Sequence, residues 1–127
     1  MLKHNKSEAF KGEGEGLLSY VLLQEGDFPD TKLAITWVDV KPGSGQTPHK
    51  HFPEQVYVII KGEGRMRVGN EEEKVMEGDL VYIPSNTVHS IRNISDKDLS
   101  YISASTPTFN IRSFYESGRL LSSMEEG

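Results

Sequence analysis

Apolar residues in this chain come in short blocks, such as Val56-Tyr57-Val58-Ile59-Ile60 and Leu80-Val81-Tyr82-Ile83, each closed by Gly, Pro, Asn or Asp or by charged residues. Blocks of that length, rich in β-branched and aromatic residues, are strand signals. They predict strands over residues 17–24, 32–40, 56–60, 65–68, 80–83, 90–93 and 99–103. Between them lies turn chemistry, including Asp27-Phe28-Pro29-Asp30, Lys41-Pro42-Gly43-Ser44-Gly45, Glu77-Gly78-Asp79 and Pro84-Ser85-Asn86-Thr87. Short strands at regular spacing describe an all-β sandwich or barrel.

The ends differ from the middle. Residues 1–16 are polar and glycine-rich, with too little apolar surface to offset their ordering entropy, and read as a mobile or edge-lying arm. A barrel is expected over 17–115 and a tail over 116–127. A helical turn is expected within 109–121, where Phe114, Tyr115 and Leu120 supply an apolar stripe.

A chain of 127 residues holds one domain with a real core. The net charge of −5, spread along the sequence, argues against nucleic acid, whose affinity rests on Lys and Arg. With no cysteine, disulfides, thiolate sites and cysteine nucleophiles are excluded together, and any metal must use N and O ligands. The first residues contain no apolar signal-like region and no stretch approaches the roughly 20 apolar residues of a membrane helix, so the expectation is no membrane and a cytoplasmic location.

His49, His51 and His89 lie at the edges of strand-like segments. The i, i+2 spacing of His49 and His51 puts both side chains on one face of an extended chain, roughly 6.5–7 Å apart, where two imidazoles can converge on one ion. An isolated pair of this kind is more often an ordinary polar loop. The context changes that balance.

Five residues separate Gly43 from His49, Lys50 separates His49 from His51, three residues lead to Gln55 and six more to Gly62. From Gly78, five residues lead to Pro84; Asn86, His89 and Asn93 follow. These blocks resemble the two signature motifs of the cupin superfamily, G(x)5HxH(x)3,4E(x)6G and G(x)5PxG(x)2H(x)3N. The fifteen residues between Gly62 and Gly78 match the inter-motif stretch of the smallest cupins. The resemblance implies a double-sheet jelly-roll barrel, also called a double-stranded β-helix. It also implies a metal near one open end, held by the two histidines of the first motif and the one of the second. It further implies a homodimer, often joined by exchange of N-terminal strands, a role open to the arm before Leu17.

Two positions depart from the motifs. Asn86 stands where glycine is expected, and asparagine is the residue that best tolerates a left-handed backbone. Gln55 stands where a carboxylate is expected, directly after Glu54. A one-residue slip would bring Glu54 to the ion, but Gln55 shares strand parity with Tyr57 and Ile59, which favours Gln55.

The expected metal ligands are therefore His49, His51, Gln55 and His89. All four are neutral, so a divalent ion keeps its +2 charge and draws anionic or chelating oxygen ligands. Three imidazoles disfavour Mg and Ca and suit Mn, Fe, Co, Ni, Cu or Zn. By resemblance, the function is metal-assisted oxygenation or isomerisation of a small carboxylate, diketone or sugar acid. Glu54 and Tyr57 are the nearby candidates for a catalytic base. The alternative is a ligand-binding or sensing module without turnover.

Other residues carry weaker expectations. Tyr57, Ile59 and Ile91 should line the site or belong to the core. Of Arg65, Met66, Arg67 and Val68, one alternating pair should be buried. Trp37, Phe52, Tyr82, Tyr101 and Phe109 should rim the pocket or cement a dimer. His4 reads as a tail residue, and Glu13 with Glu15 as a solvated charge run.

Overall fold

The computed structural model describes residues 1–106. After a short 3-10 turn, Lys6–Glu8, capped by the Asn5 side chain, nine strands follow among the described residues. They are β1 Phe10–Gly14, β2 Leu17–Leu23, β3 Ala34–Val40, β4 Glu54–Lys61, β5 Glu63–Val68, β6 Glu71–Met76, β7 Leu80–Ile83, β8 His89–Arg92 and β9 Leu99–Thr106. A six-stranded sheet runs β1-β2-β3-β9-β4-β7 and a three-stranded sheet runs β6-β5-β8, all neighbours antiparallel. The all-β, double-sheet jelly-roll expectation holds. No helix among these residues is long and apolar enough to cross a membrane.

Alternation places the core. In β3 every second residue from Ala34 to Val40 is buried, and in β4 the buried set is Gln55, Tyr57 and Ile59. From the facing sheet come Met66, Val75 and Ile91, and Leu99 and Tyr101 complete the packed interior. Ile59, Ile91 and Leu99 are almost fully buried, each side chain contributing about 2–3 kcal/mol of burial. Arg65 faces outward opposite to Met66, so the arginines stay out of the core.

Two strands have no block signal in the sequence. In β6 every residue but Val75 is exposed, so the pattern Glu71-Glu72-Glu73-Lys74 shows no alternation; it forms because the Gly69-Asn70 turn folds it back onto β5. The arm supplies β1, an edge strand paired with β2 of its own chain from Phe10↔Val21 to Gly14↔Leu17. Lys6 fastens the segment before it: its Nζ lies over the Tyr20 and Trp37 rings and bonds Asp39 at 3.0 Å. The expected helical turn within 109–121, with Phe109, Phe114, Tyr115 and Leu120, and the tail 116–127 lie outside the described residues.

The motif turns have the backbone their residues suggest. Asn86 takes φ 56°, in the left-handed region where the motif asks for glycine. Gly62, at φ 79°, alone links β4 to β5; a Cβ there would run into the Asp98 carbonyl. Asn93, fully buried, donates through Nδ2 to the carbonyls of Val40 and Lys97 and accepts from Ser95. It ties the end of β3 to the loop before β9.

Candidate metal centre

His49 and His89 are brought together by backbone pairing. They form an isolated antiparallel bridge in which each N–H donates to the other's carbonyl, at 3.0 and 2.8 Å. His51 is held by the second-motif turn, where the Asn86 N–H donates to its carbonyl at 2.8 Å. The ring centroids of His49 and His89 lie 4.3 Å apart, and those of His51 and His89 4.9 Å. One nitrogen from each ring falls within 4.8 Å of the others.

Each ring has its other nitrogen tied down. Nδ1 of His49 donates to the Thr47 carbonyl, Nδ1 of His51 to the Pro53 carbonyl and Nδ1 of His89 to the Thr87 carbonyl, all at 2.9 Å. A neutral imidazole that donates from Nδ1 presents a lone pair at Nε2, the arrangement in which histidine ligates metals. Protonation is disfavoured at all three. Burial lowers the basicity of His49 and His51, and burial together with the neighbouring imidazoles takes His89 down to about 3.

Gln55 is buried on the inward face of β4, beside these rings. Its Nε2 donates to Ser103 Oγ at 2.6 Å, which turns Oε1 toward the histidines, 3.0 Å from His51 Nε2. With Nδ1 of His51 already donating, its Nε2 offers a lone pair beside Oε1, as two neighbouring ligands of one ion would. Nε2 of His89 is buried without any protein partner. An orphaned lone pair, two neighbouring acceptors and three oriented imidazoles fit a divalent transition metal.

The two candidate bases sit differently. Glu54 is exposed, with its carboxylate accepting from the Tyr82 hydroxyl at 2.6 Å, and alternation carries it away from the buried Gln55 face. Tyr57 is buried beside His89, ring centroids 6.1 Å apart, and stacks on Tyr101 at 4.2 Å. Gln46, which no pattern in the sequence singles out, binds this pair. Its Nε2 donates to both phenol oxygens at 3.0 Å, and its Oε1 accepts from the Ile91 N–H at 3.2 Å.

Among the expected rim aromatics, Tyr101 belongs to the core, Trp37 bonds Asp39 through Nε1, and Phe52 and Tyr82 are exposed. His4 bonds the Leu22 carbonyl. Glu15 is exposed, as expected of a solvated charge, and it also bonds Thr47. A cleft of about 400 Å³ around Met66, Val75 and Val81 has none of the three histidines in its walls, so the site rests on ligand geometry.

With the site's geometry established, the family follows. The cupin domain model, Cupin_2, matches residues 36–105, more than half of the chain. The chain belongs to the cupin family. Its relatives include the uncharacterised protein MJ1618 of Methanocaldococcus jannaschii, 33% identical over 97 residues, covering 76% of this chain and 78% of that one. An oxalate-binding protein of Thermotoga maritima is 29% identical over 92 residues, covering 72% and 75%. Among solved structures, a predicted oxalate decarboxylase of Thermotoga maritima superposes with a TM-score of 0.73 at 25% identity, covering 84% of this cupin and 99% of that chain.

Proposed function

We propose that this cupin holds one divalent transition-metal ion through His49, His51, Gln55 and His89, and binds there a small chelating oxygen anion of the oxalate class. The observation that carries the reading is the three Nδ1-anchored imidazoles with the orphaned Nε2 of His89 among them. When bound, the ion supplies a Lewis acid whose +2 charge no ligand reduces, because all four donors are neutral. Mn, Fe, Co, Ni, Cu and Zn suit this donor set.

The wall beside the ligands supports a small, oxygen-rich guest. Register puts Ser105 opposite Gln55 and Ala34 beyond it; the next row runs Tyr57, Ser103, Thr36. All are buried, most are small, and besides the Tyr57 phenol, Ser103, Ser105 and Thr36 carry hydroxyls that can donate to ligand oxygens. No residue of these rows is charged, so a carboxylate would be matched by the ion alone. That favours a ligand whose oxygens all sit close to one point, as in a chelating dicarboxylate. The likeness to a protein named oxalate-binding agrees.

Proton-shuttling chemistry has weaker support. Glu54 turns outward, and the Tyr57 phenol is committed to Gln46. Metal-centred oxygenation remains the enzymatic form of the proposal, since its substrate would bind in the same way. The test is calorimetric titration of oxalate into metal-loaded and metal-free protein, with oxygen uptake on diketones and an ultraviolet assay on unsaturated uronates. Oxalate should bind the loaded form only. Equal binding to both forms sinks the proposal, and turnover of an unsaturated uronate replaces it with an isomerase.

A further inference from the structure

The tip of the β1–β2 hairpin reaches the metal centre. Its two turn residues, Glu15 at φ 57° and Gly16 at φ 80°, are both left-handed, the type I′ geometry that matches strand twist. Gly, Asn and Asp are the usual occupants, so Glu15 carries strain that Gly would relieve. Gly16 docks the tip on the loop ahead of His49: its carbonyl accepts from the Lys41 N–H at 3.0 Å, and a Cβ on it would overlap the Ser44 side chain.

From that docked position Glu15 grips Thr47. One carboxylate oxygen accepts from the Thr47 hydroxyl at 2.5 Å and the other from the Thr47 N–H at 3.4 Å. The Thr47 carbonyl, in turn, accepts from Nδ1 of His49. A residue 32 positions away thus holds the residue whose carbonyl holds the imidazole.

We propose that Glu15 is a positioning residue of the metal centre, fixing Thr47 so that His49 keeps its Nε2 aimed at the ion. The inference rests on the metal reading above. It explains why a strained turn carries a glutamate: the side chain is long enough to cross from the hairpin to the loop, and glycine, which suits the backbone, has no carboxylate.

Cobalt(II) titration of the full chain, followed by its visible ligand-field bands, tests this with four variants. Glu15→Ala and Glu15→Gly should each weaken cobalt affinity about tenfold, the low end for outer-sphere partners because Glu15 acts through Thr47, and should shift the bands. Glu15→Gln, which keeps an acceptor for the Thr47 hydroxyl, should stay within about threefold of the native protein, and Glu13→Ala should change nothing. Glu15→Gly separates positioning from folding, since glycine relieves the turn and should leave the melting temperature unchanged or higher. Native cobalt affinity and bands in both Glu15→Gly and Glu15→Ala overturn the inference and leave the metal reading standing. A native protein that takes up no cobalt overturns both.

Discussion

His49 and His89 are bridge partners, each donating its N–H to the other's carbonyl, and this pairing stands their rings 4.3 Å apart. Two residues forty positions apart in the sequence become neighbours through backbone bonds that do not depend on their side chains. His89→Ala should therefore keep the fold while weakening metal binding by more than about a hundredfold, beyond the range for loss of an outer-sphere partner. Circular dichroism alongside metal titration checks both halves. Native affinity in that variant would remove His89 from the ligand set.

Gln55 separates metal affinity from anion affinity. Gln55→Glu adds a negative charge beside the ion and should tighten metal binding while weakening oxalate binding, each by roughly tenfold or more. Ser103 can still serve, because its hydroxyl can donate to the new carboxylate. Paired metal and oxalate titrations read the two effects, and movement in the same direction would contradict the charge argument.

Histidine burial predicts how the metal-free protein responds to acid. His89 is held at about 3, against 6.5 when unperturbed, by burial and the adjacent imidazoles; burial lowers His49 and His51 as well. Between these values the unfolded chain binds more protons than the folded one, so stability is fully present above about pH 6.5 and falls as pH drops toward 3. The slope contributed by His89 reaches about 1.4 kcal/mol per pH unit. Urea unfolding of metal-free protein at a series of pH values should show it, and His89→Ala should flatten it. An equal slope in both proteins would contradict the assignment.

Gln46 is a structural prediction with no metal in it. Its side chain gives one hydrogen bond to each of the Tyr57 and Tyr101 phenols and takes one from the Ile91 N–H, and Gln46→Ala removes all three. Gln46→Ala should cost about 2–3 kcal/mol by chemical denaturation, and a loss below 0.5 kcal/mol would show that the network relaxes.

Much of this was legible in the residues because spacing encodes it. The parity of Gln55 with Tyr57 and Ile59 reappears as the buried face of β4, and Asn86 takes the left-handed turn the motif requires. Strand β6 was not legible, because an edge strand exposed on nearly every residue has no alternation to read; only the Gly69-Asn70 turn hinted at it. Strand β1 was hidden for a similar reason, its clue being the Glu15-Gly16 pair. Gln46 and Glu15 act through contacts 45 and 32 residues away, and such relations leave no local pattern.

The central claim is the metal itself, and the most direct measurement is the metal content of untagged protein purified without added ions, repeated after dialysis against each candidate cation. The geometry predicts one divalent transition ion per chain, retained on dialysis and lost with His89→Ala. Folded native protein that stays metal-free at stoichiometric Mn, Fe, Co, Ni, Cu and Zn would contradict it.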